Sequence, residues 1–88
     1  MANKNKLLQF PTHFPMKIFG PNTDDFIDEI WQLALEHFPK LKKQDVKHKP
    51  SENSNYIAIT INLYVQSQVE LDALYIAVNK HPDTKMVL

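Results

Sequence analysis

Cysteine and arginine are both absent from the 88-residue chain. Without cysteine there are no disulfide bonds and no thiolate zinc sites, as is typical of proteins from a reducing compartment. Arginine makes the bidentate contacts to phosphate and to guanine edges, so its absence and a net charge of zero argue against nucleic-acid binding. No apolar run approaches the length of a signal peptide or a membrane span. We therefore expect a cytoplasmic protein that does not associate with membranes.

Motifs of catalysis and metal binding are missing as well. The histidines lack the spacing of metal ligands, and no cysteine supports them. No serine, threonine or lysine has a neighbouring base in a recognisable catalytic arrangement. These absences predict a non-enzymatic protein with no catalytic residues, no metal and no cofactor.

The residues that are present suit one small domain. Residues 1–9 are polar and lack hydrophobic periodicity, which predicts a flexible N-terminal tail. The remainder, residues 10–88, is long enough to form a single hydrophobic core. We expect one domain over this range.

Residues 56–65 carry the clearest structural pattern in the chain. Five aliphatic residues alternate with five polar, aromatic or small ones: Ile57, Ile59, Ile61, Leu63 and Val65 with Tyr56, Ala58, Thr60, Asn62 and Tyr64. Successive side chains of a strand point to opposite faces, so one face of this strand is aliphatic and the other is mixed. The pattern predicts a sheet with one face against the core and the other open to solvent or a partner.

The remaining segments alternate between strand and helix signals. A strand is predicted over residues 14–19, and Thr23 is a good N-cap for a helix that follows it. A polar edge strand is predicted over residues 44–49. A Ser-x-x-Glu capping box at Ser67 begins a second helix. A final strand is predicted over residues 84–88, with Met86 and Leu88 facing inward.

The resulting order, β-α-β-β-α-β, predicts an α+β, ferredoxin-like fold. In this fold a four-stranded antiparallel sheet has strands one and three at its centre and two helices on one face. The opposite sheet face is left open.

Four stretches of the chain resemble the YbeD-like family of small bacterial proteins, also called lipoate regulatory proteins. They are Phe10-Pro11 with Phe14, Lys17 and Gly20; His37-Phe38-Pro39; Pro50-Ser51 followed by Asn55-Tyr56; and residues 70–75 with His81-Pro82 and residues 85–88. The chain departs from the family at Glu52, Asn53 and Ser54, where the family tends to have Ser-Lys-Gly. The resemblance implies a fold similar to amino-acid-binding regulatory (ACT) domains and a link to lipoate metabolism.

Gly20, the chain's one glycine, is expected between the first strand and the first helix. ACT-type ligand loops look similar at this position, and backbone amides at a helix N-terminus can hold an anion. With Asn22 and Thr23, Gly20 forms a candidate site for an amino-acid-like or acyl ligand. The alternative is that the glycine only permits a turn. Asp24 and Asp25 would repel an anionic ligand there.

Two groups of residues are candidates for an interaction surface. Trp31 and Leu35 lie on one edge of the wide apolar stripe of the first helix, where they either cover a broad sheet or contact another subunit. Phe19, Tyr56 and Tyr64 lie on the predicted open sheet face. RNA-recognition domains stack bases on such aromatic residues, but their glycine-rich basic signature is missing here. The alternative to RNA binding is that a protein partner or solvent covers the open sheet face.

The charges are segregated along the chain although their sum is zero. Residues 22–38 hold five acids and no lysine, whereas residues 39–50 hold five lysines and Asp45, a local balance of 5 − 1 = +4. Such blocks either form solvated faces that attract each other within or between chains, or form a binding patch.

The best hypothesis from the sequence is a small regulatory or adaptor module that binds a protein partner or forms a homodimer. Its contacts would come from the open sheet face and the first helix. The first alternative is a sensor of a small-molecule effector that uses Gly20, Asn22 and Thr23. The second alternative is the binding of single-stranded RNA.

Overall fold

The computed structural model of the protein describes residues 9–88, so the predicted tail over residues 1–9 lies outside it apart from Gln9. The elements in chain order are the strand β1, the helix α1, the strands β2 and β3, the helix α2 and the strand β4. The strands are β1 (Thr12–Pro21), β2 (Val46–Pro50), β3 (Tyr56–Val65) and β4 (Met86–Val87). The helices are α1 (Asp24–His37) and α2 (Gln68–Lys80). A 3-10 turn over Lys43–Asp45 leads into β2.

The four strands form one antiparallel sheet in the order β2-β3-β1-β4. The two central strands pair over their whole length, from Thr12 opposite Val65 to Pro21 opposite Tyr56. This arrangement confirms the predicted α+β, ferredoxin-like fold. Neither helix of the described residues is long and apolar enough to cross a membrane.

One layer of aliphatic side chains between the sheet and the helices makes up the core. The strands β1 and β3 supply Met16, Ile18, Ile57, Ile59, Ile61, Leu63 and Val65, and the helices supply Phe26, Ile30, Ala34, Leu71, Leu74 and Val78. Within residues 9–88, no polar or charged residue is buried with them. Full burial of an aliphatic or aromatic side chain contributes about 1.5–3 kcal/mol, so this layer accounts for most of the stabilisation of the fold.

Side-chain caps fix where both helices begin, as the sequence predicts. The Thr23 hydroxyl accepts a hydrogen bond from the Phe26 backbone N–H at 3.1 Å. The Ser67 hydroxyl accepts one from the Glu70 N–H at 3.2 Å. The Glu70 carboxylate accepts from the Gln66 N–H at 2.9 Å, one residue earlier than in a standard capping box. The chain is therefore held on both sides of the Ser67 cap.

His81 joins the two helices at the end of α2. Its Nε2 lies 2.6 Å from a Glu29 carboxylate oxygen on α1, and its Nδ1 accepts a hydrogen bond from the Asp83 N–H at 3.1 Å. Because Nδ1 is an acceptor, Nε2 carries the proton and donates to Glu29. The imidazole also packs edge-on against Phe26, with ring centroids 5.4 Å apart.

The last strand differs from its prediction in length and in the faces of its side chains. It spans Met86–Val87, and Met86 and Leu88 are exposed, so the expectation that they face inward is wrong. Val87 is the residue that packs against the core. The reason is the register: Val87 lies opposite Ile18, whose side chain is buried, whereas Met86 lies opposite Phe19 on the other face.

Gly20 lies inside β1, opposite Ile57, and not in a turn after the strand. Its φ angle is not positive, so the backbone there does not require glycine. A Cβ atom at this position would instead overlap three carbon atoms of the Phe26 ring. Gly20 is therefore needed because Phe26, the largest fully buried side chain, packs directly against the β1 backbone.

We predict that Gly20→Ala lowers the free energy of unfolding by about 1–3 kcal/mol, the usual cost of overpacking a core. The measurement is denaturant unfolding of the wild type, Gly20→Ala, Phe26→Leu and the double variant. Since leucine lacks the ring atoms that the new methyl group would meet, Gly20→Ala should cost at least about 1 kcal/mol less in the Phe26→Leu background. An equal cost in both backgrounds would show that the overlap with Phe26 is not the reason for glycine.

Candidate functional site

The sheet face opposite the helices is uncovered and collects side chains from all four strands. On β1 and β3 it is formed by every second residue, and the registers place two lysines of β2 on the same face. Leu88 exchanges two backbone hydrogen bonds with Lys17, of 2.7 and 3.0 Å, which puts it beside Lys17. This surface, called the open face below, consists of His13, Pro15, Lys17, Phe19, Lys47, Lys49, Tyr56, Ala58, Thr60, Asn62, Tyr64, Met86 and Leu88.

Large apolar side chains are concentrated on the open face. Within residues 9–88, six large hydrophobic residues are exposed, and four of them lie here: Tyr56, Tyr64, Met86 and Leu88, each about half exposed. The other two, Val69 and Ile76, lie on α2, on the opposite side of the sheet. Exposed apolar side chains that gather in one place mark interaction sites more often than scattered ones do.

The apolar residues of the open face form two groups. At one end Ala58, Phe19 and Met86 lie side by side across β3, β1 and β4, with Tyr56 next to them along β3. At the other end the rings of Tyr64 and His13 contact each other, with centroids 5.0 Å apart and planes inclined by 51°. Tyr56 and Tyr64 are eight residues apart on one strand, a separation of roughly 27 Å.

Three lysines occupy the space between these groups. Lys47 and Lys17 flank Thr60 in one row across the sheet, and Lys49 lies beside Ala58 in the next row. All three lysines are exposed. None of the strand residues on this face is an aspartate or a glutamate, and in the part of the chain that the structure describes none of the three lysines forms an ion pair.

A groove of about 330 Å³ adjoins the Tyr64 end of the open face. It exists because β2 begins only at Val46, opposite Ile61, so the last residues of β3 have no strand beside them. Its apolar walls include Phe38, Leu41 and Tyr64, and the charged residues Lys40, Asp45 and Glu70 line it as well. The groove therefore continues the open face around the edge of the sheet with a mixed apolar and charged surface.

The structure separates the two groups of predicted interaction residues. Phe19, Tyr56 and Tyr64 lie together on the open face, where Phe19 is half-buried. Trp31 and Leu35 are on α1, on the other side of the sheet, and both are partly buried. Trp31 lines a smaller groove of about 250 Å³ between α1 and β2. One partner surface therefore cannot lie flat against both groups.

Sequence reasoning alone does not place Lys47, Lys49, Met86 and Leu88 on the open face. It predicts a polar edge strand and a block of lysines around Lys47 and Lys49, although their spacing of two residues already places them on one face. It predicts that Met86 and Leu88 face the core. No signal within residues 84–88 fixes their orientation, because it depends on the register of β4 against β1.

The predicted ligand-binding residues have their polar groups committed to the fold. Gly20 is buried beneath Phe26. Asn22 donates its backbone N–H to the Asn55 carbonyl and its side-chain amide to the Ser54 carbonyl, each at 3.1 Å. Thr23 caps α1. These bonds tie the start of α1 to the turn between β2 and β3, whose Ser54 has a φ of 64°.

We predict that Thr23→Ala lowers the free energy of unfolding by about 1 kcal/mol, because the Phe26 N–H loses its acceptor. The matched control is Thr23→Ser, which keeps the hydroxyl and should stay within about 0.5 kcal/mol of the wild type. Denaturant unfolding monitored by circular dichroism measures both. Equal losses in the two variants would mean that the threonine methyl group, and not the cap, carries the effect.

Tyr75 on α2 has a perturbed ionisation. Burial raises the pKa of its phenol, and the negative charge of Asp72 raises it further. The ring packs edge-on against Phe14, with centroids 6.2 Å apart. Both effects keep Tyr75 neutral, so it acts as a packing residue.

We predict that Tyr75 contributes to unfolding at high pH. Because its pKa is higher in the folded state, the neutral phenol favours folding below its unfolded pKa of about 10, and this contribution is lost as the pH rises through the folded pKa. Tyr75→Phe keeps the ring contact and removes the titration. Melting temperatures between about pH 8 and pH 11 should therefore fall less steeply for the variant. Parallel curves would refute the assignment.

Comparison with known proteins places the chain in a family. The family model described as "Protein of unknown function (DUF493)" matches residues 5–88. The chain belongs to this family. A UPF0250 protein of Ralstonia nicotianae is 35% identical over 85 residues, covering 97% of this chain and 88% of that protein. A UPF0250 protein of Leptothrix cholodnii is 34% identical over 88 residues, covering 100% and 97%. These matches confirm the resemblance to YbeD-like proteins.

A solved structure supports the fold of this DUF493 protein. The solution structure of protein HP0495 from H. pylori superimposes with a TM-score of 0.64 at 17% sequence identity, covering 92% of this chain and 85% of that one. At this identity the likeness concerns the fold alone. Within the described part of the DUF493 chain, no group of three histidine, aspartate or glutamate residues is arranged to hold a metal ion.

Proposed function

We propose that this DUF493 protein is a non-enzymatic regulatory or adaptor module that binds a protein partner through the open face of its sheet. The observation that carries the proposal is the concentration of exposed Tyr56, Tyr64, Met86 and Leu88 on one uncovered face. Tyrosine and methionine are among the residues enriched at protein interfaces. The partner would remove these side chains from water.

The size of the open face favours a transient contact. The open face is roughly 35 Å long, because β1 and β3 pair over ten residues, and roughly 15 Å wide, because the four strands are separated by three spacings. Roughly 500 Å² per partner is at the low end for specific complexes, the range of weak signalling encounters. A regulatory module that binds and releases its target fits this range.

The chemistry of the open face favours binding over catalysis. His13 is its histidine, and this ring packs against Tyr64. Asp45 and Glu70 line the groove beside it, but their carboxylates accept backbone hydrogen bonds from Lys42 and Gln66. The remaining polar groups, Thr60, Asn62 and the lysines, can hydrogen-bond or pair with a partner.

We predict that a photo-cross-linking phenylalanine analogue placed at Tyr56 or Tyr64 captures a specific protein in the cells that produce this chain. Val69 on α2 is the matched control, because it is apolar and 79% exposed but lies on the opposite side of the sheet. Mass spectrometry of the cross-linked products identifies the partner. Capture at Tyr56 with none at Val69 is the expected result.

Two other results would contradict the proposal. Cross-links of equal yield at Val69 would show that the open face has no special role, and no cross-link at either tyrosine would show that it has no protein partner. The same experiment tests the link to lipoate metabolism that the family resemblance implies. Under that link, the captured protein would make, transfer or carry lipoate.

A further inference from the structure

On the basis of the proposed function, we infer that the partner of the open face presents an acidic polypeptide segment with an apolar anchor. The carboxylates of this segment would lie on Lys17, Lys47 and Lys49, and its apolar side chain would lie on the row formed by Ala58, Phe19 and Met86. Three observations lead to this partner: the charge of the face, the position of its apolar row, and the charge on the other side of the molecule.

The lysines give the open face a positive charge that no acidic residue of its strands neutralises. Lys47 and Lys17 are two strands apart, a spacing of roughly 10 Å, and Lys47 and Lys49 are two residues apart, roughly 7 Å. Acidic residues at alternate positions of an extended segment are also roughly 7 Å apart, the spacing of Lys47 and Lys49. An extended acidic segment along β2 can therefore pair with two lysines at once.

The apolar row begins immediately beside the charged one. Lys49 neighbours Ala58, which neighbours Phe19 and then Met86. Tyr56 borders the row along β3 and is 51% exposed. An apolar side chain that follows the acidic residues by two or three positions would reach this row. The anchor buries apolar area, and the charges set the orientation of the segment.

The opposite side of the molecule carries the opposite charge. The helix α1 has five acidic residues and no lysine, and among the described residues only Glu29 of these has a basic partner, the Nε2–H of His81. Two lysines of the basic block, Lys47 and Lys49, thus lie on the opposite side of the sheet from the acidic block. The open face and the surface of α1 therefore differ in charge, and each can meet a complementary surface.

A second copy of this chain is a poor occupant of the open face. Two open faces in a symmetric dimer would bring six lysines together, which opposes association. An open face against the acidic α1 of another copy would match in charge, but such a head-to-tail contact cannot form a symmetric dimer, and it closes into a ring only for particular rotations between copies. The occupant we infer is therefore a different protein.

RNA fits the open face less well than an acidic segment does. The face has no arginine for bidentate or stacking contacts to nucleotides. Of its three aromatic rings, Tyr64 is engaged by His13 and Phe19 is half-buried. Single-strand readers instead present free aromatic rings on which successive bases stack.

The test is a titration of the isotopically labelled full chain, followed by the amide signals of residues 17, 47, 49 and 58. The probes are a peptide of sequence Glu-Ser-Glu-Ser-Glu-Gly-Leu-Gly-Phe-Gly, the same peptide with every glutamate replaced by glutamine, and an oligouridylate. We expect the acidic peptide to shift these signals and to bind about tenfold more tightly than the glutamine peptide at low salt, as two or three exposed ion pairs predict. The difference should shrink at about 0.15 M salt.

A pair of double variants tests the assignment to particular lysines. Lys47→Gln with Lys49→Gln should remove most of the tenfold preference for the acidic peptide. Lys43→Gln with Lys80→Gln removes the same charge away from the open face and should leave the preference unchanged. Equal loss in both double variants would mean that net charge, and not this face, selects the peptide, and would overturn the inference.

Other results separate this inference from the proposed function. Equal affinity of the two peptides at the open face would overturn the acidic partner and leave protein binding by this face intact. No shift of the open-face signals by either peptide would also overturn the inference, while the cross-linking at Tyr56 still decides the proposed function. Tighter binding of the oligouridylate at the same residues would overturn both.

Discussion

The strand β3 can bury one of its faces only, and the rest of the structure depends on this constraint. Its five aliphatic residues, Ile57 to Val65 at alternate positions, are at most 3% exposed, whereas Tyr56 and Tyr64 on the other face are half exposed. Because side chains alternate strictly, a slip of one residue would expose every aliphatic side chain. The register with β1, and the placement of both helices on one side, follow from the need to cover this single face.

The same constraint determines what the open face can contain. Every exposed residue of β1 and β3 is directed to it. At one edge of the sheet β2 adds lysines, and at the other edge β4 and Leu88 add apolar residues. The helices take the acidic residues to the opposite surface. The open face is thereby basic and partly apolar and the surface of α1 is acidic, a difference that under our proposal would orient a partner.

Much of the fold could be predicted from local patterns. Alternation identified β3, and the caps at Thr23 and Ser67 identified where the helices begin, because these signals depend on residues close in the chain. Features that depend on distant residues could not be predicted. The sequence predicts a turn or a ligand loop at Gly20, because the contact of Gly20 with Phe26 exists only in the folded structure. The faces of Met86 and Leu88 follow from their pairing with β1, which no pattern in five residues specifies.

The most direct test of the account is lysine footprinting, in which acylation rates are compared between the purified protein and the protein in the intact cells that produce it. Lys17, Lys47 and Lys49 are exposed on the open face, and Lys43 and Lys80 are exposed away from it. If a partner covers the open face, the first three lysines should react several-fold more slowly in cells while Lys43 and Lys80 keep their rates. Equal protection of all five, or protection of Lys43 and Lys80 alone, would contradict the assignment of this face as the interaction surface.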